Sequence, residues 1–256
     1  MALALVGAVL VGLSLGMTGT GGSMLTVPLL VFLVGQDEKV AIAGSLAIVG
    51  TIALAGSLQY LRARLVDWRN VWLFGLPGMV GTYAGAWIAG YVSGLLQLTL
   101  FAGVMLLASW FMLRPIRVTS VEPTAPRQTW KIVADGLAVG VLTGFVGVGG
   151  GFLIVPALVL LGGLPMHRAV ATSLVIIALK SYSGFWKYLD VLESQSLALD
   201  WPTLGLVTAL GIAGSFIGNH FAKRLPQQQL RRLFGWFLIV MGIYILARSL
   251  PALMPG

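Results

Sequence analysis

A glycine-rich segment occurs twice in this chain, at a separation of half the chain length. Residues 16–28 read GMTGTGGSMLTVP and residues 144–156 read GFVGVGGGFLIVP, with seven of thirteen positions identical. An offset of 128 residues in a chain of 256 indicates a duplicated unit. Any fold for this sequence must therefore place two equivalent glycine-rich breaks in two equivalent halves.

The composition is that of a membrane protein. Hydrophobic residues make up 58% of the chain and charged residues 9%, whereas soluble domains carry about 25% charged residues. The mean hydropathy is +0.95, and apolar windows long enough to cross about 30 Å of hydrocarbon recur along the whole length. The sequence predicts a single all-α polytopic membrane domain in contact with the lipid bilayer.

Charge and cysteine content exclude several classes of function. The net charge of +8 comes from Lys and Arg spread over short loops, which favours topology signals over nucleic-acid binding. The chain has no cysteine, and its two histidines lack the spacing of metal ligands, so we expect neither a metal nor another cofactor. The spans contain no combination of nucleophile and base, which argues against an intramembrane enzyme.

Proline, glycine and charge divide the chain into two repeats. Repeat one covers residues 1–113, residues 114–131 form a linker, and repeat two covers residues 132–256. Each repeat begins with an apolar element that is broken at the glycines and continues with three transmembrane helices. The broken elements are predicted at 2–34 and 132–161, and the helices at 40–61, 70–92, 95–113, 168–189, 202–222 and 231–249.

The distribution of positive charge predicts two inverted repeats. If each broken element enters and leaves on one side of the membrane, twelve Lys and Arg lie on one side and three on the other, with Lys180 inside a span. If each broken element crosses once, the division is nine against six. The positive-inside rule favours the first arrangement, with both termini in the periplasm.

The glycine breaks are the first candidate site. Glycine lets the backbone leave a helix, and in a membrane the freed N–H groups must face protein, water or a ligand. The half-helix after each break offers donors and a partial positive charge to an anion. Close helix packing is the alternative explanation for these glycines. The predicted substrate-binding residues of the breaks are Thr18, Gly19, Thr20, Gly21, Gly22, Ser23, Gly147, Gly149, Gly150 and Gly151.

Lys180 is the second candidate, because it lies near the middle of the span that begins close to Arg168. A cation at this depth costs on the order of 3 kcal/mol unless it faces a partner or water. We therefore expect its amine to face a central cavity and to bind an anion. A lysine that snorkels from a shifted span is the alternative.

Hydroxyl groups and one acid complete the set of candidates. Ser45 and Ser173 are equivalent positions early in their spans, with Thr172 beside the second, and we expect all three at the substrate site. Serines in membrane helices also bond to their own backbone, which is the alternative. Asp135 is a candidate for a coupling proton, and a helix cap at the start of the second broken element is the alternative; no coupling cation and no oligomeric state are predicted from the sequence. Aromatic residues at span ends are interpreted as interfacial anchors: Tyr60, Tyr188, Trp68 and Trp201.

Taken as a set, the motifs GTGGSMLTVP, AGSLA and LVDW in repeat one, with GVGGGFLIVP and ATSLVIIALKS in repeat two, resemble the sulfite exporter TauE/SafE family of membrane permeases. The resemblance implies a secondary transporter of the bacterial inner membrane. Its substrates would be small sulfur-containing anions such as sulfite, sulfonates or sulfoacetate, moved without nucleotide hydrolysis. A passive anion channel and a transporter of another small organic anion are the alternatives.

Overall fold

The computed structural model describes residues 2–18, 22–113, 128–147, 150–161, 164–222 and 227–253. These residues form helices without any strand, which confirms the predicted all-α class. The helices of repeat one are α1 (Ala2–Thr18), α2 (Gly22–Pro28), α3 (Glu38–Arg62), α4 (Trp68–Asn70), α5 (Leu76–Gly90) and α6 (Gly94–Leu113). Those of repeat two are α7 (Thr129–Val146), α8 (Gly151–Pro156), α9 (Met166–Ser194), α10 (Trp201–Ala222) and α11 (Gln227–Leu253).

Short π-helical segments extend or join some of these helices. They are Leu29–Val34 after α2, Val71–Gly75 between α4 and α5, and Ala157–Leu161 after α8. Within the described residues, five helices are long and apolar enough to cross a membrane, and α6 and α11 add shorter apolar stretches. The chain is therefore polytopic. Helix α7 begins three residues before the predicted start of repeat two, and residues 114–127 of the predicted linker lie outside the described residues.

The first broken element folds back on itself. Near the break, Gly22 lies against the carbonyl of Val11. Farther from the break, a Cβ added at Gly7 would lie 2.6 Å from Leu29 Cδ1 and 3.7 Å from Leu33 Cδ1. The contacts move backward along α1 as they move forward along the returning arm, so the two arms run antiparallel. Antiparallel arms agree with an element that enters and leaves on one side, and its placement in the membrane stays a prediction.

Helices of one repeat pack against helices of the other in equivalent pairs. The pair α1 and α10 corresponds, under the duplication, to the pair α7 and α5. The pairs α3 with α9 and α6 with α11 each join equivalent helices. The duplication in the sequence is therefore reflected in which helices pack together.

Glycine permits the close approach of α1 to α10 and of α7 to α5. A Cβ added at Gly16 would lie 2.8 Å from the Cα of Ser215, and one at Gly144 would lie 2.7 Å from the Cα of Thr82. Both glycines belong to stripes of small residues spaced four apart, which let helix backbones touch. For these two positions, which open the repeated motif, the packing explanation applies.

The central helices α3 and α9 run in opposite directions. A Cβ added at Gly50 would lie 3.1 Å from Ser181 Cβ, whereas one at Gly56, farther along α3, would lie 3.8 Å from Leu174 Cδ1 on an earlier turn of α9. The equivalent helices α3 and α9 are therefore antiparallel. In inverted repeats, equivalent helices must cross the membrane in opposite directions. The orientation of this chain in the bilayer stays a prediction.

Candidate functional site

The second break has a backbone that favours glycine. Helix α7 ends at Val146, and Gly147 follows with φ +73°. Gly150 precedes α8 with φ +75°. This left-handed conformation is less stable by about 1–2 kcal/mol for a residue with a Cβ than for glycine. The predicted break is therefore present between α7 and Gly151, where α8 begins.

Ser45 connects repeat one to the second break. Its Oγ lies 2.7 Å from the carbonyl oxygen of Gly147 and 2.8 Å from that of Ile42 in its own helix. The side chain of Ile42 also contacts Gly147. Ser45 is buried, so the structure brings this predicted site residue to a break of the other repeat.

The first break lies between Thr18, the last residue of α1, and Gly22, the first residue of α2. Ser23 follows in α2 and is buried. Helices α2 and α8 contact each other, so the half-helices that follow the two breaks are adjacent. Four predicted site residues lie outside the described residues: Gly19, Thr20, Gly21 and Gly149.

The two hydroxyls at the start of α9 have other contacts. Thr172 Oγ1 accepts a hydrogen bond of 2.9 Å from the backbone N–H of Asp67, which ties α9 to the start of α4. Ser173 Oγ donates to the carbonyl of Val170 at 2.8 Å, within its own helix. Of the three hydroxyls Ser45, Thr172 and Ser173, only that of Ser45 has a described contact with a break residue.

Lys180 lies in a packed slot between α9, α5 and α7, here called the Lys180 slot and formed by Phe74, Gly78 and Gly136. Its side chain is 1% exposed. A Cβ added at Gly78 would lie 2.9 Å from Lys180 Cδ and 3.3 Å from the carbonyl oxygen of Gly136, and the Phe74 ring centroid is 6.0 Å from Nζ. No described residue forms a hydrogen bond with Nζ. The amine is thus buried as predicted, but its described neighbours pack around it and do not form the expected central cavity.

The equivalent slot in repeat one is apolar. Ile52 occupies the position of Lys180, and its Cδ1 contacts Gly211, the counterpart of Gly78. The carbonyl oxygen of Ala8, the counterpart of Gly136, lies 3.8 Å from a Cβ added at Gly211. The duplication therefore gives two slots of the same construction, one filled by isoleucine and one by lysine.

A buried polar cluster beside the second break was not predicted. Gln97 Nε2 donates to the carbonyl oxygen of Phe145 at 2.6 Å and to Tyr188 Oη at 2.8 Å. Both side chains are fully buried. The expected interfacial position of Tyr188 is wrong, because its ring faces inward, whereas Trp68 and Trp201 are exposed as expected. The sequence did contain a signal for a buried polar site at Gln97, because its side chain is a lone amide in the apolar span of α6.

A second polar cluster lies near the end of α1. Tyr60 Oη donates to Asn219 Oδ1 at 3.1 Å, and Asn219 Nδ2 donates to Gln59 Oε1. With Gly16 and Ser215, these side chains line a narrow cleft. This cluster therefore joins α3 of repeat one to α10 of repeat two beside α1.

The buried charges of the described residues are both positive. They belong to Lys39 and Lys180. Lys39 Nζ donates to the carbonyl of Ala89 near the C-terminal end of α5, where the helix dipole favours a cation. Lys180 has no comparable partner among the described residues.

The family model of the sulfite exporter TauE/SafE proteins matches residues 3–245. This chain belongs to that family. The match includes both breaks, Ser45 and Lys180, and confirms the resemblance carried by the motifs. No solved structure matches the chain significantly.

Curated relatives of the TauE/SafE chain have similar lengths. A probable membrane transporter protein of Xylella fastidiosa (strain 9a5c) is 32% identical over 252 residues, which cover 95% of this chain and 94% of that protein. The probable membrane transporter protein YunE of Bacillus subtilis (strain 168) is 34% identical over 257 residues, 89% of this chain and 90% of its own. MJ0441 of Methanocaldococcus jannaschii, with the same description, is 23% identical over 93% of this chain and 92% of its own. The chain is accordingly a multi-pass membrane transporter.

Proposed function

We propose that this protein is a secondary transporter that moves a small sulfur-containing anion, of the sulfite, sulfonate or sulfoacetate type, across the bacterial inner membrane. The observation that carries the proposal is the sign of the buried charge: the described interior holds two lysines and no buried acid. An uncompensated cation inside a membrane protein favours an anionic ligand. The family name supplies the sulfur chemistry.

The substrate would bind where the two breaks approach each other. Helices α2 and α8 are in contact, and the left-handed glycines turn the backbone away from helical hydrogen bonding at the second break. Ser45 provides a hydroxyl at Gly147. We assign backbone N–H groups of both breaks and the Ser45 hydroxyl to binding, with positive charge from Lys180.

Alternating access would follow from the duplication. In transporters built from inverted repeats, the site lies between the repeats, and the two units exchange conformations to expose it to each side in turn. The equivalent pairs α1 with α10 and α7 with α5 supply matching contacts for such an exchange. This supports a carrier over a channel.

A thermal-shift screen of the purified protein tests the substrate class. Sulfite, methanesulfonate, sulfoacetate, acetate and phosphate are compared at equal concentration, because a ligand that binds only the folded state stabilises it. At 100 times Kd the gain is about 2.7 kcal/mol. We expect stabilisation by one or more sulfur anions, and selective stabilisation by acetate or phosphate would contradict the proposed substrate class.

A further inference from the structure

The Lys180 slot is shaped for hydrocarbon. Its counterpart in repeat one is filled by Ile52 against Gly211, and in the Lys180 slot the methylene groups of Lys180 occupy the matching place against Gly78. The packing therefore does not require an amine. Burial of the amine has a cost that an apolar side chain at this position would not have.

The Lys180 amine has no hydrogen-bond partner among the described residues in this conformation. Tyr83, on the packed helix α5, lies beside Lys187, whose Nζ is 5.6 Å from its ring centroid. Helices α3, α5 and α7 pack against α9, and α4 leads into α5. These four helices carry the following titratable groups: Glu38, Lys39, Tyr60, Arg62, Arg69, Tyr83, Lys131 and Asp135. On α9 itself they are His167, Arg168, Tyr182, Lys187, Tyr188, Asp190 and Glu193.

Lys180 also lies close to the level of the second break. Gly184, four residues after it, would place a Cβ 3.3 Å from Leu46 Cδ1, next to Ser45. An anion bound at the second break therefore lies within about one helical turn, roughly 5–6 Å along the axis, of the level of Lys180.

We propose that Lys180 takes up one proton when the anion binds and releases it when the anion leaves, so that anion and proton move together. The inference rests on the proposed anion transport. On binding, a proton from water adds to the lone pair of Nζ, and the resulting ammonium pairs with the anion. On release, the ammonium returns its proton to water on the opposite side, and the neutral amine re-enters the slot.

This coupling has a thermodynamic signature. Because the bound state holds one more proton than the free state, raising the pH weakens anion binding, by about tenfold per pH unit over the range in which the proton is taken up. The same linkage requires that the anion raise the proton affinity of the protein. A site in which Lys180 keeps its charge throughout would show neither effect.

Titration calorimetry in buffers of different ionisation enthalpy measures the protons taken up per anion. The probes are methanesulfonate, which stays ionised, and sulfite. For the natural chain we expect about one proton per anion. Lys180→Met and Lys180→Ile should take up none and bind the anion at least tenfold more weakly, without a lower melting temperature of the ligand-free protein, since the Ile52 slot accepts isoleucine.

Two control variants assign the proton. Lys187→Gln removes an amine that is paired with Asp190 at 2.8 Å and should leave proton uptake unchanged. Asp135→Asn should also leave it unchanged. Unchanged proton uptake in Lys180→Met, or loss of uptake in Asp135→Asn, would overturn the inference. Anion binding without proton uptake in the natural chain would overturn the inference alone, whereas binding of none of the screened anions would overturn the proposed function as well.

Discussion

Ser45 and Ser173 are equivalent by duplication but differ in their described contacts. Ser45 lies between the carbonyls of Ile42 and Gly147 and so joins two repeats. Ser173 bonds within one helical turn to Val170. The pair therefore forms a natural comparison between a hydroxyl at a break and one satisfied locally.

Ser45→Ala should destabilise the protein more than Ser173→Ala. The first change leaves the buried Gly147 carbonyl without the hydroxyl, which costs about 1–3 kcal/mol. The second removes a bond to a carbonyl inside a helix. Thermal unfolding of both variants in detergent measures the difference, and equal melting temperatures would show that the Ser45 contact contributes nothing to the break.

Gly147→Ala should lower both stability and transport. Alanine at this position would have to adopt φ +73°, which destabilises a residue with a Cβ by about 1–2 kcal/mol. The added Cβ would also overlap the side chain of Ile42. Gly103→Ala is the matched control, because it has nothing within 4 Å of an added Cβ. Uptake assays and melting curves are compared, and a Gly147→Ala variant as stable and active as Gly103→Ala would contradict the described backbone.

At the residue scale, the sequence predicted which side chains are buried better than it predicted which neighbours they face. Lys180 is predicted to be buried from its position in an apolar span, and it is. Which neighbours its amine meets depends on the rotation of α9 against α5, which the packing of Gly78 sets and which composition does not reveal. Tyr188 illustrates the same limit, since its place at a span end did not determine that it faces Gln97.

At the scale of elements, the glycines of one motif do two different things. Gly147 and Gly150 turn the backbone, whereas Gly16 and Gly144 let helices approach. The sequence located both breaks because glycine clusters inside apolar runs are unusual. The sequence could not show which glycines turn the backbone and which let two helices pack closely, because this depends on which helix lies opposite each glycine.

Gly144→Ala tests the packing of α7 against α5. An added Cβ would lie 2.7 Å from the Cα of Thr82, so the helices must separate, and overpacking of this kind typically costs about 1–3 kcal/mol. Gly205→Ala in α10 meets nothing within 4 Å and should be neutral or slightly stabilising. If Gly144→Ala melts at the same temperature as Gly205→Ala, the close approach of α5 and α7 is wrong.

At the scale of the molecule, the duplication accounts for most of the architecture. The helices equivalent in sequence meet as equivalent pairs, and α3 and α9 run antiparallel. The sequence predicted two repeats from the motifs and inversion from the charges. It did not predict that α1 packs on α10 and α7 on α5, because which helices of the two repeats pair is set by matching glycine stripes in space.

Cysteine labelling tests the inverted orientation. The chain has no cysteine of its own, and Ala63 and Gln195 are exposed residues in equivalent turns of the two repeats. We expect Ala63→Cys to react from the cytoplasmic side and Gln195→Cys from the periplasmic side, with both termini periplasmic. Labelling of both variants from one side would exclude inverted repeats.

Counterflow of radiolabelled sulfite in proteoliposomes tests the central claim, that this chain is a carrier of small sulfur-containing anions. A carrier with alternating access takes up labelled substrate faster when unlabelled substrate is inside, because the loaded site returns more readily than the empty one. We predict accumulation of label in vesicles preloaded with sulfite and none in vesicles preloaded with acetate. Uptake that is indifferent to the internal anion, or that occurs at the rate of a channel, would contradict the account.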